Sequence, residues 1–294
     1  MTKPLVSIIV ATYNCADLLA LTLESIALQD LQDYEVLVIG DGCTDHTGDV
    51  VIARNDQRYS WENLPENHRA PHVAHNRGLA KARGNYIAYL NHDDLWFPWH
   101  LSGLVEAIEK QSVDFVYDMT ATVPSRVQQP YCIGEFVGLK GLRAGIPSCW
   151  LHRNPLLEGQ LNWRNPYEVG MPTDTDFICR ANTLGARFIY LATLGIVKFA
   201  STFWNTYKSQ TYIQEEYLRQ LRQDPHRLRL RLLEVSASNM FYGTTVRHLR
   251  GLLRNLQWSL VISYGQDRFP MPSILRAYFL SRRRMANRKR GLPF

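Results

Sequence analysis

Short apolar runs that break on polar or acidic clusters punctuate the first part of the chain. Leu5 to Ala11 is apolar except for Ser7 and stops at Thr12-Tyr13-Asn14, and Tyr34 to Ile39 closes on Gly40-Asp41-Gly42. Tyr86 to Leu90 ends abruptly in Asn91-His92-Asp93-Asp94. Runs of this length and composition read as buried strands that the following polar residues cannot continue. Between the first two, Asp17 can cap a helix carrying Leu18, Leu19, Leu21, Leu23, Ile26 and Ala27 to about Gln29. Strand, helix, strand is a βαβ unit, and a right-handed crossover makes its two strands parallel.

Further along, Thr47 to Ala53 predicts a short helix, Tyr59 to Pro71 has no period, and His75 to Arg83 predicts a helix stopped by Gly84. Leu101 to Lys110 is amphipathic, with Leu104, Val105 and Ile108 on one face, and Val113 to Met119 is a strand candidate. Residues 120–172 are rich in Pro, Gly and aromatics, with a strand candidate over 147–153. A helix headed by Asp174 and Asp176 runs to about Leu184, and Arg187–Leu191 and Ile196–Phe199 read as two short strands. From Gln210 onward the pattern is helical. Thr244 to Ile262 sets Val246, Leu249, Leu253, Leu256 and Leu260 on one stripe and Arg247, Arg250 and Arg254 on another.

Charge divides the chain in the same place. Residues 207–294 hold 17 Lys+Arg against 5 Asp+Glu, leaving 16 against 22 in residues 1–206, although the whole is only +6. The expected organisation is therefore an α/β domain over 1–206 and a basic helical extension over 207–294. Five scattered cysteines with no C-x-x-C pair give neither a disulfide framework nor a zinc knuckle, and predict a reducing, cytoplasmic setting. No run of about 18 apolar residues predicts a membrane span. No P-loop, G-x-G-x-x-G, H-E-x-x-H or G-x-S-x-G pattern occurs. The basic tail lacks a recognisable nucleic-acid module, so no nucleic-acid partner is expected.

The candidate chemistry lies at the strand ends. In an open α/β sheet, ligands bind outside the carboxyl edge. A carboxylate pair there suits a divalent cation that keeps positions for phosphate oxygens. Asp93 or Asp94 could alternatively cap the next helix, Tyr13 could be a core tyrosine, and Asp174 and Asp176 could be helix-dipole acids.

Val6 to Asn14, Val38 to Asp45 and Ala88 to Trp96, in that order and spacing, together resemble the family 2 glycosyltransferases of GT-A fold, over about residues 4–200. The resemblance implies a mostly parallel central sheet flanked by helices. It also implies transfer of a sugar, with inversion, from a nucleoside diphosphate donor, UDP above all, to an acceptor hydroxyl in polysaccharide or glycolipid synthesis. By that likeness Ala11, Tyr13, Asn14 and Asp41 hold the nucleotide, with Tyr13 against the base and Asp41 accepting from it, while His75 and Asp93 lie near the diphosphate. Asp93 with Asn91 would take Mn²⁺ or Mg²⁺, Asn91 standing where the first acid of Asp-x-Asp is usual; an amide oxygen can ligate a hard cation but adds no charge.

Asp174 corresponds to the catalytic base, and Trp150, His152, Arg153 and Asp176 fall in the acceptor region. One-step inversion needs a single base, whereas glycoside hydrolases use a carboxylate pair. Many relatives act on lipid-linked acceptors, which makes the basic tail a candidate for peripheral contact with an anionic membrane. A nucleotidyltransferase would share the sheet and acids but wants a basic Gly-rich loop after the first strand, and Thr12 to Ala16 is not one. A non-catalytic sugar-nucleotide-binding or scaffold protein is the reading from another class.

Overall fold

A computed structural model describes residues 3–124, 129–133, 136–137, 143–155, 161–200 and 212–242. The arginine stripe expected over 244–262 and the basic clusters beyond it lie outside the described residues. The first half alternates strand and helix: β1 (Val6–Thr12), α1 (Ala16–Ala27), β2 (Tyr34–Gly40), α2 (Thr47–Ile52), β3 (Tyr59–Asn63), α3 (His72–Lys81) and β4 (Tyr86–Tyr89). After it come β5 (Leu95–Trp96), α4 (His100–Lys110), β6 (Phe115–Val123), β7 (Tyr131–Ile133), β8 (Phe136–Val137), β9 (Arg143–Ala144) and a 3₁₀ turn over Pro147–Cys149. The remainder is β10 (Trp150–Arg153), α5 (Pro166–Val169), α6 (Thr173–Thr183), β11 (Phe188–Phe199), α7 (Ile213–Gln223) and α8 (Pro225–Tyr242).

The main sheet runs β3-β2-β1-β4-β10-β6-β11-β5, with β7 on the edge of β6. β3, β2, β1 and β4 are mutually parallel, as the right-handed crossover predicts. β10 enters antiparallel between β4 and β6, and β6 pairs parallel with β11. Every residue of β2 is buried, which explains the unbroken apolar run: strands covered on both faces do not alternate.

Several sequence expectations need correction. The aperiodic stretch after Tyr59 begins with β3, whose half-exposed edge position leaves no apolar pattern to find. The two short strands expected over 187–199 are one strand with register shifts between Leu191 and Ile196. At the bulge Gly195 lies so close to Asp118 that a Cβ would sit 1.7 Å from its Oδ2. Neither Asp93 nor Asp94 caps a helix, since α4 starts at His100, and the residue capping α1 is Cys15 rather than Asp17.

Two apolar clusters hold the molecule together. One lies between the parallel strands and α1, α3, α4 and α6, with Ile8, Ile9, Leu19, Tyr89, Trp150 and Phe177 almost fully buried. The second joins Leu95, Phe97, Val197 and Phe199 to Tyr217, Leu218 and Leu221 of α7 and Leu228 and Leu232 of α8. The stretch from Ile213 to Leu233 thus shares a core with the far side of the sheet.

Candidate active site

Backbone pairing brings three strand ends to one edge. Leu90 N donates to Ile9 O (3.1 Å) and Asp41 N to Thr12 O (2.8 Å), so the residues after β1, β2 and β4 lie side by side. His92 Nδ1 is 3.3 Å from Ala11 O, and because a carbonyl only accepts, that nitrogen carries the hydrogen. Tyr13 is half-buried beside them. Asn14, at φ +43°, acts as a latch: its Oδ1 accepts from Thr44 N (2.8 Å) and its Nδ2 donates to Thr44 Oγ1 (3.1 Å). Asp41 is nearly buried and accepts twice from His68, through the backbone N–H (3.0 Å) and ring Nδ1 (2.7 Å).

The paired acids divide their work. Asp94 is fully buried: Oδ2 accepts from Ser148 Oγ (2.7 Å) and Asn91 Nδ2 (3.0 Å), and Oδ1 from Phe199 N (3.2 Å). Burial pushes its carboxyl above the usual range, against the pull of Lys198, whose Nζ lies 3.8 Å away, while Asp93 adds to the rise. The second acid therefore anchors the turn. Asn91 fits this wiring better than aspartate, since its amide donates where a carboxylate would face Asp94 at hydrogen-bond distance. Asp93 is 7% exposed, and Gln214 Nε2 of α7 donates to its backbone carbonyl (3.4 Å).

A divalent cation would here meet the Asp93 carboxylate and the Asn91 amide oxygen, an oxygen-only donor set suited to Mn²⁺ or Mg²⁺ sharing ligands with phosphates. Among the described residues no group of three or more His, Cys, Asp or Glu could hold a metal ion.

Beneath this edge lies an aromatic and histidine cluster. Trp163 Nε1 donates to Tyr89 Oη (3.2 Å), and Tyr89 Oη lies 3.1 Å from His152 Nε2. His152 Nδ1 donates to Arg153 O (2.8 Å), so Nε2 is the acceptor and the chain of hydrogen bonds has one direction. Trp163 is fastened to α3 by reciprocal bonds with Asn76, at 2.7 and 2.8 Å. Phe177 stacks on Trp163 at 4.6 Å between centroids and meets Tyr89 edge-on, docking α6 one turn beyond Asp174. Asp174 itself is half-buried in the first turn of α6, where its Oδ1 accepts from Thr175 N (2.8 Å).

Several expected site residues lie elsewhere. His75 is buried between Tyr89 and Trp163, 5.3 and 4.5 Å from their ring centroids, and burial lowers its pKa to about 3, so it is a neutral ring in this cluster rather than a cationic clamp. Trp150 and His152 are equally enclosed, the latter with a pKa lowered to about 4 by burial. Arg153 pairs across from Tyr86, the first residue of β4, because β10 runs antiparallel and carries it away from the acid-bearing edge. There its Nε donates to Val113 O (2.8 Å). Asp176 is buried in ion pairs with Arg164 and Arg180. Sequence reasoning missed His68, Ser148 and Lys198 and gave no role to His92 within its acidic cluster; His68 lies in the aperiodic stretch, and the contacts of the others show only through long-range pairing.

This sheet order and acid-bearing edge are those of a GT-A fold. The solved structure of Staphylococcus aureus TarS 1–349 in complex with UDP superposes with a TM-score of 0.57 at 17% identity, over 96% of this chain and 92% of that one. The mannosyltransferase PcManGT from Pyrobaculum calidifontis, in complex with GDP-Man and Mn²⁺, gives 0.52 at 17% identity, over 99% and 88%.

Residues 7–131 match the family model for glycosyl transferase family 2. An Escherichia coli relative, UDP-Glc:alpha-D-GlcNAc-diphosphoundecaprenol beta-1,3-glucosyltransferase WfaP, is 35% identical over 38% of this chain and 45% of its own length. The putative teichuronic acid biosynthesis glycosyltransferase TuaG of Bacillus subtilis is 34% identical over 39% and 46%. The chain spans about half the length of these curated relatives.

Proposed function

We propose that this chain transfers a sugar from a nucleoside diphosphate donor, UDP-linked by preference, to an acceptor hydroxyl with inversion, in the synthesis of a cell-surface polysaccharide or glycolipid. The observation that carries the reading is the common edge where Tyr13, Asp41 and Asp93 follow three adjacent parallel strands. Tyr13 would pack on the base, Asp41 accept from its N–H, and Asp93 with Asn91 face the diphosphate. A bound Mn²⁺ or Mg²⁺ would neutralise the departing diphosphate. Asp174, as base, takes the acceptor proton while the donor leaves from the opposite face.

Likeness to the undecaprenol-linked glucosyltransferase and the teichuronic acid enzyme supports a lipid-linked or polymeric glycan acceptor. The basic composition of residues 207–294 suits an anionic membrane surface near such an acceptor. Among the described residues no helix is long and apolar enough to cross a membrane.

The test is release of UDP or GDP from UDP-glucose, UDP-N-acetylglucosamine and GDP-mannose, with a polyprenyl-linked sugar acceptor and Mn²⁺. Asp174→Asn should keep donor affinity and lower turnover by about a hundredfold or more, as loss of a general base does. Full turnover in that variant removes Asp174 from the mechanism, and no release from any donor by the wild type favours a binding module.

A further inference from the structure

The base-facing carboxylate is not held by its own strand alone. Asp41 has four acceptor sites, and His68 occupies one on each oxygen, through its N–H and its ring Nδ1–H. Two bonds from one residue, to different oxygens, fix the rotation of the carboxylate about its side-chain axis. The segment that presents His68 is itself fastened. Leu64 N donates to Gly40 O (2.8 Å), and Asn63 exchanges bonds with the backbone of Cys43, both at 2.8 Å.

Gly42 lies directly under the segment, at φ +73°, where a Cβ would come within 2.6 Å of the Glu66 carbonyl carbon. Asn67 Oδ1 caps Arg69 N (2.7 Å), and Glu66 Oε1 stands 3.8 Å from His68 Nε2 on the ring's far side. His68 is thus presented to Asp41 by a braced loop.

We propose that His68 is a positioning residue that sets the base selectivity of the donor site, an inference that rests on the reading of Asp41 as the base acceptor. An ionised carboxylate offers only acceptor sites to an incoming base, and the two bonds from His68 fix where those sites point. Uracil brings a ring N–H to meet them, whereas cytosine brings a bare ring nitrogen at the same position and sets acceptor against acceptor. Sites built around a buried polar partner reject the analogue that cannot pair. Freed from His68, the carboxylate can rotate or recruit water, and the penalty on the wrong base shrinks.

Calorimetric titration of the full chain with UDP and CDP tests this. The wild type should prefer UDP by tenfold or more, and His68→Ala should erase most of that preference. His68→Asn, whose amide nitrogen can replace ring Nδ1, should restore it; a structural role alone would not shift the ratio between two pyrimidine nucleotides. A wild-type ratio in His68→Ala, with Asp41→Ala still weakening UDP, overturns the role of His68 and leaves the nucleotide pocket standing. Tighter UDP binding by His68→Ala also overturns it, since the ring would then block Asp41 rather than position it. Equal UDP affinity in wild type and Asp41→Ala overturns both the inference and the pocket reading beneath it.

Discussion

At the scale of single residues, position in the pairing decides what a side chain can do. Tyr13 and Asp41 follow adjacent strands and lie at the open edge, so truncating Tyr13 to Ala should weaken UDP binding by about 1–3 kcal/mol, the worth of stacking one base on an aromatic ring. Unchanged affinity in the calorimeter would take the base away from this edge. The neighbouring acids Asp174 and Asp176 look interchangeable in the sequence, yet only the first is half-exposed. Asp176 binds two guanidinium groups, so Asp176→Ala strands Arg164 and Arg180 and should lower stability by about 2–3 kcal/mol. That is less than a fully buried pair would cost, because Arg164 is half exposed. Chemical unfolding checks it: Asp174→Asn should unfold like the wild type, and Asp176→Ala at lower denaturant.

At the scale of elements, the hydrogen-bonded cluster under α6 links packing to acidity. His75 and His152 are held neutral by burial, their pKa values lowered from 6.5 to about 3 and about 4. The unfolded chain binds their protons first, so the stability they retain above pH 6.5 is lost as the pH falls toward their folded values. Melting temperature should therefore drop between pH 6.5 and 4, by the equivalent of a few kcal/mol, and His75→Leu should flatten part of the drop. Identical pH profiles would show that His75 protonates freely in the folded chain.

The long, strongly patterned elements were legible in the sequence, because a strand buried on both faces must be apolar throughout. β3 and β5 were not, since an edge strand and a two-residue strand carry too little pattern. Nor could any local signal reveal that β10 runs antiparallel, which is what removes Arg153 from the acid-bearing edge.

At the scale of the whole molecule, the change of composition at residue 207 marks a change of charge more than a change of core. Leu218, Leu221, Leu228 and Leu232 cover Phe97, Val197 and Phe199 on the sheet's far side. A chain ending at residue 206 should expose that surface and aggregate or lose cooperative unfolding, whereas one ending at 242 should melt as the full chain does. The same pair of chains separates the tail's roles: the shorter stable form should no longer float with anionic vesicles if residues 243–294 make the membrane contact. Equal flotation would assign it to the described part.

The wiring of Asp94 bears on how such a site can drift over generations. Its carboxylate ties together Asn91, Ser148 and Phe199, three points far apart in the chain, with Lys198 alongside. Exchange of aspartate for asparagine at position 91 adds a donor to that knot and is locally harmless, while the reverse exchange places a second carboxylate against the first. The tolerance of position 91 is therefore set by the partners of Asp94: Asn91→Asp would bring two carboxylates together beside Lys198 and Ser148, and those two side chains would decide how much of the added charge the turn can bear.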